Sequence, residues 1–275
     1  MRRRTLLNSQ LSLLVMLTYI RNFWQYRELL YFFVLREIKA KYKQAVLGVA
    51  WAFLQPLVLI AVFTVVFSYF ARLPSDGAPY ALFSYCALLP WQFFATVLTR
   101  GTGSLVSHQG LVQKVYFPRE IIVFAVVASA IVDFTIGGII LWGLLWYYGI
   151  PLTIHSFLIL PVFAIQACFV VGIILILSPL NVFFRDIGLL IPLIIQVWMY
   201  ATPIIYPMSL VPERFRPFYA LNPMAGIIEA YRKILLHGTT PELVSLSIAA
   251  AVSCVILVAG LTYFKRVEFK LADVL

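Results

Sequence analysis

Charged residues are scarce in this 275-residue chain, and no long polar segment interrupts it. Only 12% of the residues are Asp, Glu, Lys or Arg, whereas 63% are hydrophobic. The chain therefore has no segment from which a second, water-soluble domain is expected to fold. Without a soluble basic fold, nucleic-acid binding is not expected, and the net charge of +10 needs another explanation.

The residue patterns of several enzyme classes are also missing. The sequence has no Gly-x-x-x-x-Gly-Lys-Ser/Thr loop for nucleotide phosphates and no Gly-x-Ser-x-Gly elbow. Its three histidines, His108, His155 and His237, lack metal-ligand spacing, and its three cysteines lie far apart among apolar residues. A membrane enzyme acting on lipid-linked sugars would need clustered carboxylates or histidines, which are absent from the sequence. We therefore expect neither catalysis nor a metal or cofactor in this chain.

What the chain does have is a series of apolar runs, each long enough to cross a hydrocarbon core of about 30 Å as a helix. In lipid every backbone polar group must be satisfied internally, so the sequence predicts an all-α membrane protein. We predict a transmembrane domain over residues 45–264 with six spans, at about 45–70, 80–103, 120–148, 156–180, 188–206 and 243–264.

The remaining segments flank these spans. Residues 1–44 are predicted to form an N-terminal segment with a basic amphipathic helix in the headgroup plane, because Tyr31, Val34, Leu35, Ile38 and Tyr42 recur at helical spacing. Residues 265–275 are predicted to form a C-terminal tail. With the N-terminus inside, 16 of the 21 Lys and Arg residues lie on the inner side. This bias predicts that both termini are cytoplasmic.

Two connections between spans have distinct characters. The outer connection at 207–242 is long, rich in proline and half apolar, and a structureless loop of that length is improbable. It predicts short re-entrant helices at the outer face, where irregular backbone is tolerated if it is buried in protein. The inner loop at 104–119 is short and amphipathic, which suits docking to a partner protein or an ordinary solvated turn.

Asp133 is the only carboxylate deep inside a predicted span. A charge at that depth costs about 2.5–3.5 kcal/mol on insertion scales, so its side chain is expected to face protein or water. One interpretation is a proton relay in a proton-coupled secondary transporter, which would also predict an inverted repeat that the sequence does not show. A helix-packing hydrogen bond is favoured, since a relay needs several ionisable groups along a path.

An ordered set of motifs gives the chain a family resemblance. It resembles the membrane subunits of ABC-2 type exporters of O-antigen or teichoic acid, and the motifs that carry the likeness are the segments 35–51 and 54–57 around the first span, Leu89-Pro90-Trp91, 114–120, 181–186, 201–207, 222–224 and 229–232.

The resemblance implies a homodimer that pairs with two copies of a separate ATPase subunit, on which ATP and Mg bind. The implied substrate is a polysaccharide on undecaprenyl diphosphate, carried from the cytoplasm across the bacterial inner membrane. An ABC-2 drug or small-lipid exporter of the same fold is the alternative. Which glycan is carried stays open.

Four groups of candidate site residues follow. Basic side chains on the interface helix would attract the lipid diphosphate or bulk anionic lipid, and aromatic rings in a channel would contact the C–H faces of sugars unless they serve packing or interface belts. The resemblance adds an inner coupling surface for the ATPase and an outer gate. The diphosphate group is Arg36, Lys39, Lys41 and Lys43, and the coupling group is His108, Lys114, Val115, Tyr116, Phe117 and Arg119. The channel group is Trp91, Phe93, Phe94, Gln196, Trp198 and Tyr200, and the gate group is Tyr206, Asn222, Glu229 and Arg232.

Overall fold

The structure is a computed structural model that describes residues 25–42, 50–115 and 117–274. Helices dominate these ranges, and no strand occurs in them. The α-helices are α1 (Arg27–Tyr42), α2 (Ala50–Phe63), α3 (Tyr80–Ser107), α4 (Gln109–Lys114), α5 (Glu120–Tyr147), α6 (Ile159–Phe183), α7 (Asp186–Tyr200), α8 (Arg216–Ala220), α9 (Pro223–Leu235), α10 (Leu243–Val267) and α11 (Leu271–Val274). A π-helical segment, Thr64–Phe70, extends α2, and short 3-10 segments cover Ile154–Leu158, Met208–Leu210, Glu213–Phe215 and Glu268–Lys270.

Five helical segments of the described chain are long and apolar enough to cross a membrane. They are Ala50–Phe70, Tyr80–Ser107, Glu120–Tyr147, Ile154–Phe183 and Leu243–Lys270, and they match five of the six predicted spans. The span predicted at 188–206 coincides with α7, which has 15 residues and so extends only about 22 Å. The backbone then leaves the helix in a series of turns. The sixth crossing therefore stays a prediction.

The bundle is built around α3, which packs against α5, α6, α7 and α9. Most of its side chains are buried on all sides, although its sequence is strongly apolar like that of a lipid-facing helix. The closest helix pair is α6 with α10. A Cβ added to Gly260 would lie 2.3 Å from the carbonyl oxygen of Gly172, so only glycine permits this approach.

Charged contacts hold the chain together at one end of the bundle, which we call the basic end. The Lys265 ammonium lies 2.6 Å from Glu120 Oε1 and 3.0 Å from Glu268 Oε2. The backbone N–H of Arg119 donates to Glu268 Oε1 at 3.1 Å. These contacts explain why α10 continues through Val267, beyond the predicted end of the span at 264, and why Leu271 is fully buried rather than part of a free tail.

The opposite end, which we call the loop end, carries the non-helical segment 201–207 and the short helices between Met208 and Leu235. The sequence predicted short helices in this connection, and α8 and α9 are such helices. The pyrrolidine of Pro217 lies in the first turn of α8 and Pro223 begins α9, positions where the missing N–H costs nothing. Their depth relative to a membrane stays a prediction.

Candidate functional site

The first helix docks onto the basic end through one face. Phe33, Glu37 and Lys41 are spaced by four residues, so they form a line along α1. The Phe33 ring packs against His108 and Phe117, with centroid distances of 5.8 and 5.7 Å. The predicted apolar face lay elsewhere, and Tyr31 from it is 60% exposed. The docked face carries the charged side chains of Glu37 and Lys41, and the side chains that they meet on the bundle are charged as well.

Two ion pairs fix the rest of that face. The Glu37 carboxylate accepts a hydrogen bond from the Arg100 guanidinium and lies 3.7 Å from His108 Nε2. One turn further on, Lys41 Nζ lies 2.8 Å from Asp133 Oδ2. Asp133 thus makes a packing contact between helices, as favoured from the sequence, and a lysine of α1 is one of its partners.

A second polar line faces this region from α3. Gln92, Thr96 and Arg100 are spaced by four residues and are only partly buried, on a helix whose other faces lie in the apolar core. The line spans about 12 Å along the helix axis. It borders a cavity of about 480 Å³ between α1, α2, α3 and α5. The polar side chains that line the cavity are Lys41, Gln55, Gln92, Thr96, Arg100 and Asp133.

The charges in this cavity are matched. Arg100 pairs with Glu37 and Lys41 pairs with Asp133, so neither cation is left without a carboxylate. The amides of Gln55 and Gln92 and the hydroxyl of Thr96 make no hydrogen bond to any described residue. Phe93 and Phe134 form apolar walls beside them. Among the described residues each cation of the cavity is thus paired with a carboxylate, and the lining also offers amide and hydroxyl groups that both donate and accept.

The basic residues predicted to attract a lipid diphosphate divide between two sides of α1. Arg36 and Lys39 are exposed, and no carboxylate of the described residues lies within salt-bridge distance of either. Lys41 turns toward the bundle and pairs with Asp133. Lys43 lies outside the described residues. Of the three members that the structure describes, Arg36 and Lys39 thus face outward.

The predicted coupling surface surrounds α4 at the basic end. Lys114 and Val115 are exposed, whereas His108 and Phe117 are buried beneath them against Phe33. Arg119 is held by Glu268, to which its guanidinium and its backbone N–H both donate. Tyr116 lies outside the described residues. Lys114 and Val115 are therefore the exposed members of the predicted coupling group among the described residues, and the buried His108 and Phe117, on either side of α4, contact α1 through Phe33.

The predicted channel aromatics do not lie on one surface. Trp91, Phe93 and Phe94 are each at most 3% exposed, and the Phe94 ring packs between Phe169 and Trp198. On α7, by contrast, Gln196 and Tyr200 are exposed. The line of Gln92, Thr96 and Arg100 is part of the open polar surface of α3, and it lies beside the predicted aromatic residues.

Asn222 organises the loop end. Its side-chain oxygen accepts from Trp198 Nε1 and from the backbone N–H of Met224, each at 3.1 Å, and so caps α9. Its side-chain nitrogen donates to Thr202 Oγ1 at 3.0 Å. One residue thereby ties the end of α7 to the start of α9.

Arg232 fixes the turn segment from the other side. Its Nη1 and Nη2 donate to the carbonyls of Pro203 and Ile204 at 2.6 and 2.7 Å, and its guanidinium lies 3.7 Å above the Phe83 ring. Burial lowers the pKa of Arg232 to about 10, so the side chain is still charged at neutral pH. These carbonyls have left the helix and need donors, and the arginine supplies both.

The other two predicted gate residues have different surroundings. The Tyr206 hydroxyl lies 2.7 Å from the Tyr219 hydroxyl and donates to the carbonyl of Tyr200 at 3.0 Å. Glu229 lines a second cavity, of about 580 Å³, together with Glu213, Glu242, Arg216 and Lys233, and its carboxylate also acts on Arg232 through its charge. The structure thus joins Tyr206, Asn222 and Arg232 by hydrogen bonds to the segment around 201–207, whereas Glu229 has only this electrostatic link to it.

Reasoning from the sequence missed Glu37, Gln92, Thr96 and Arg100. Their signal was available, because polar residues recurring every four positions in an apolar helix mark one polar face. From the sequence, Gln55, Gln196 and Thr202 are expected to face protein or a wet channel, and of these Gln55 lines the cavity.

Long apolar helices packed around a polar cavity define a multi-pass membrane protein with the architecture of a transporter. The sequence profile of the ABC-2 type transporters matches residues 28–236. The chain belongs to this family of transporter membrane proteins.

Named relatives are similar over almost the whole chain. The O-antigen export system permease protein RfbA of Myxococcus xanthus is 32% identical over 258 residues, covering 92% of this chain and 98% of the relative. A protein of the same name from Klebsiella pneumoniae is 29% identical, covering 87% and 92%. The polysialic acid transport protein KpsM of Escherichia coli is 25% identical, covering 85% and 91%.

Proposed function

We propose that this chain is the membrane subunit of an ATP-driven exporter that moves a polysaccharide on undecaprenyl diphosphate from the cytoplasm across the bacterial inner membrane. The observation that carries the proposal is the full-length similarity to permeases named for two different glycans, O-antigen and polysialic acid. What these relatives have in common is a polysaccharide cargo. We therefore assign polysaccharide as the substrate class and leave the particular glycan open.

In this proposal the basic end lies at the cytoplasmic face, with both termini inside and six crossings. The excess of Lys and Arg on that side supports the orientation. It brings Arg36 and Lys39, the outward-facing cations of α1, to the inner leaflet, where each is worth about 1 kcal/mol of attraction to anionic headgroups. A lipid diphosphate arriving in that leaflet would meet the same two residues.

The proposed energy source is a separate ATPase. The chain contains no phosphate-binding loop, so we place ATP and Mg on two copies of a partner subunit that bind a homodimer of this chain. The proposed docking surface is α4 and the residue after it, where Lys114 and Val115 are exposed. Because Phe33 contacts both His108 and Phe117, a movement of α4 would be passed to α1 and on to the cavity.

At the loop end we propose that α8 and α9 are the re-entrant helices of an outer gate. The turn at 201–207 supports this role, since its carbonyls depend on Arg232 and Tyr80 rather than on regular helix bonds. A shift of α9 would therefore change the end of α7.

The proposal is tested by co-expressing the chain with the ATPase encoded beside it. We expect a stable complex of two chains with two ATPases, altered ATP hydrolysis, and surface glycan that depends on both. Surface glycan without any ATPase partner would contradict the proposal and direct attention to Asp133 and proton coupling. A complex that leaves surface glycan unchanged but exports drugs or small lipids would support the alternative exporter class.

A further inference from the structure

We infer that the cavity between α1, α2, α3 and α5 binds an uncharged, hydroxyl-rich stretch of the exported glycan, and not its diphosphate. This inference rests on the proposed function and assigns a substrate-binding site to it. The cavity of about 480 Å³ falls within the range of small-molecule sites, roughly 300–1,000 Å³. It lies inside one chain, beside α1.

Charge argues for a neutral ligand. The two cations of the cavity, Lys41 and Arg100, already face Asp133 and Glu37. A diphosphate placed here would either break these pairs or lie next to two carboxylates, and both arrangements are unfavourable in a poorly solvated site. The exposed Arg36 and Lys39 offer the anion a better position outside the cavity.

Hydrogen-bonding capacity points to hydroxyl groups. Gln55, Gln92 and Thr96 make no hydrogen bond with any described residue, although they lie between apolar helices. Polar groups in such surroundings are costly unless a ligand or water satisfies them. Amides and hydroxyls both donate and accept, as sugar hydroxyls do, so they can follow a chain whose hydroxyls change orientation from unit to unit.

The apolar part of the cavity lining fits the C–H faces of a sugar ring. Phe93, Phe134 and Pro56 give the cavity apolar walls, which suit the C–H faces of pyranose rings. Gln92, Thr96 and Arg100 form a line about 12 Å long on α3. A glycan lying along this line would exchange one polar partner for the next as it moves, which favours sliding over tight retention.

Side-chain polarity is tested by Gln92→Leu and Thr96→Val, which keep most of the volume and remove the capacity to hydrogen-bond a ligand. Thr99→Val is the matched control, since Thr99 is exposed on the same helix and its hydroxyl bonds to its own Ala95 carbonyl. Each cavity variant is expected to lower export about two- to tenfold, the effect of one hydrogen bond, at unchanged protein level and ATPase binding. Normal export in both cavity variants, or an equal loss in Thr99→Val, would overturn the inference.

Occupancy is tested by labelling. Gln92→Cys and Thr99→Cys are made in a protein without Cys86, Cys168 and Cys254, and cells are treated with a membrane-permeant maleimide while the partner ATPase is inactivated. Labelling at position 92, but not at 99, is expected to fall several-fold in cells that make the full glycan, relative to cells that make only the carrier diphosphate with one sugar. Equal labelling of position 92 in the two strains would overturn the inference, because the long glycan would then add no protection beyond that of the carrier diphosphate with one sugar.

The two proposals fail separately. If the unmodified chain supports no ATPase-dependent glycan export, the proposed function is wrong. If it supports export while both cavity variants behave like the unmodified chain, only the assignment of the cavity is wrong.

Discussion

Lys41 Nζ lies 2.8 Å from Asp133 Oδ2, and this ion pair joins α1 to the middle of α5 across 92 positions of sequence. Both side chains are partly buried, at 35% and 24% exposure. A carboxylate in the middle of a long apolar helix is thereby paired with a cation from α1. The pair therefore ties the position of α1 to the wall of the polar cavity.

Breaking this pair is predicted to loosen α1. Asp133→Asn or Lys41→Met should destabilise the purified protein by about 1–2 kcal/mol, between the values for exposed and buried pairs. Thermal unfolding in detergent measures the loss, and a double-mutant cycle isolates the pair. Lys39→Met serves as the control, because Lys39 forms no ion pair with any described residue. A coupling energy of zero in the cycle would mean that the contact does not hold α1.

The exposed cations on the outward face of α1 are predicted to contribute to substrate binding and not to the stability of the protein. Reversing charge at Arg36 and Lys39 removes about 2 kcal/mol of attraction to an anionic surface, which alone corresponds to about 30-fold in binding, and it adds repulsion. We expect export to fall while membrane insertion and ATPase binding stay unchanged. The measurement is export at matched protein levels. Full export by the variant with both charges reversed would show that Arg36 and Lys39 do not take part in substrate binding.

Arg232 is predicted to be indispensable to the loop end. Arg232→Met leaves the Pro203 and Ile204 carbonyls without donors, and each hydrogen bond to a charged group is worth about 1.5–3 kcal/mol. We expect a loss of about 2–5 kcal/mol in unfolding free energy, with Arg232→Lys in between, because an ammonium cannot reproduce the planar fork. Arg214→Met is the control, since Arg214 only lies over the adjacent Phe215 ring. Equal effects at both positions would contradict the role of the buried network.

The contact between α6 and α10 is predicted to tolerate no added methyl group. Gly260→Ala would bring Cβ to 2.3 Å from the Gly172 carbonyl oxygen, which forces the helices apart at a cost of about 1–3 kcal/mol. Gly143→Ala in α5 meets nothing within 4 Å and should stabilise its helix by up to about 1 kcal/mol. Thermal unfolding of the two variants should therefore shift in opposite directions, and a shift in the same direction would contradict this packing.

The elements that sequence reasoning recovered are those encoded by a local property. Five spans follow from the length of apolar runs, because lipid makes length and hydrophobicity nearly sufficient to define a helix. The short helices α8 and α9 follow from their prolines and from the improbability of a long structureless loop. The shortness of α7 was not foreseen, since apolar residues continue into 201–206 although the backbone there turns.

The cavity was not predicted because its walls come from four separate helices. Pairing Lys41 with Asp133, or Glu37 with Arg100, depends on which faces meet after packing, and no spacing within one helix reveals it. Trp91, Phe93 and Phe94 illustrate the same limit, since aromatic side chains in a span have the same sequence pattern whether they line a channel or fill a core. Only the line of Gln92, Thr96 and Arg100 could have been recognised from the sequence, because its four-residue spacing lies within one helix.

In the predicted coupling surface, residues that contact the ATPase are expected to behave differently from residues that only support the loop. Val115 is 53% exposed, whereas Phe117 is 5% exposed and packs on Phe33. Val115→Asp should therefore weaken ATPase binding and abolish stimulation of hydrolysis, while the unfolding free energy stays within about 0.5 kcal/mol. Phe117→Ala should instead lower stability by about 3–5 kcal/mol, because it empties a packed site.

Co-purification with the ATPase and thermal unfolding, measured on the same preparations, tell the two effects apart. Gln109→Ala, at the exposed start of α4, controls for general disturbance of the loop. One result would contradict this assignment: Val115→Asp binds the ATPase normally, whereas Phe117→Ala loses ATPase binding at full stability. The docking surface would then be formed by the buried side of the loop, and α4 would have to rotate to expose that side when the complex assembles.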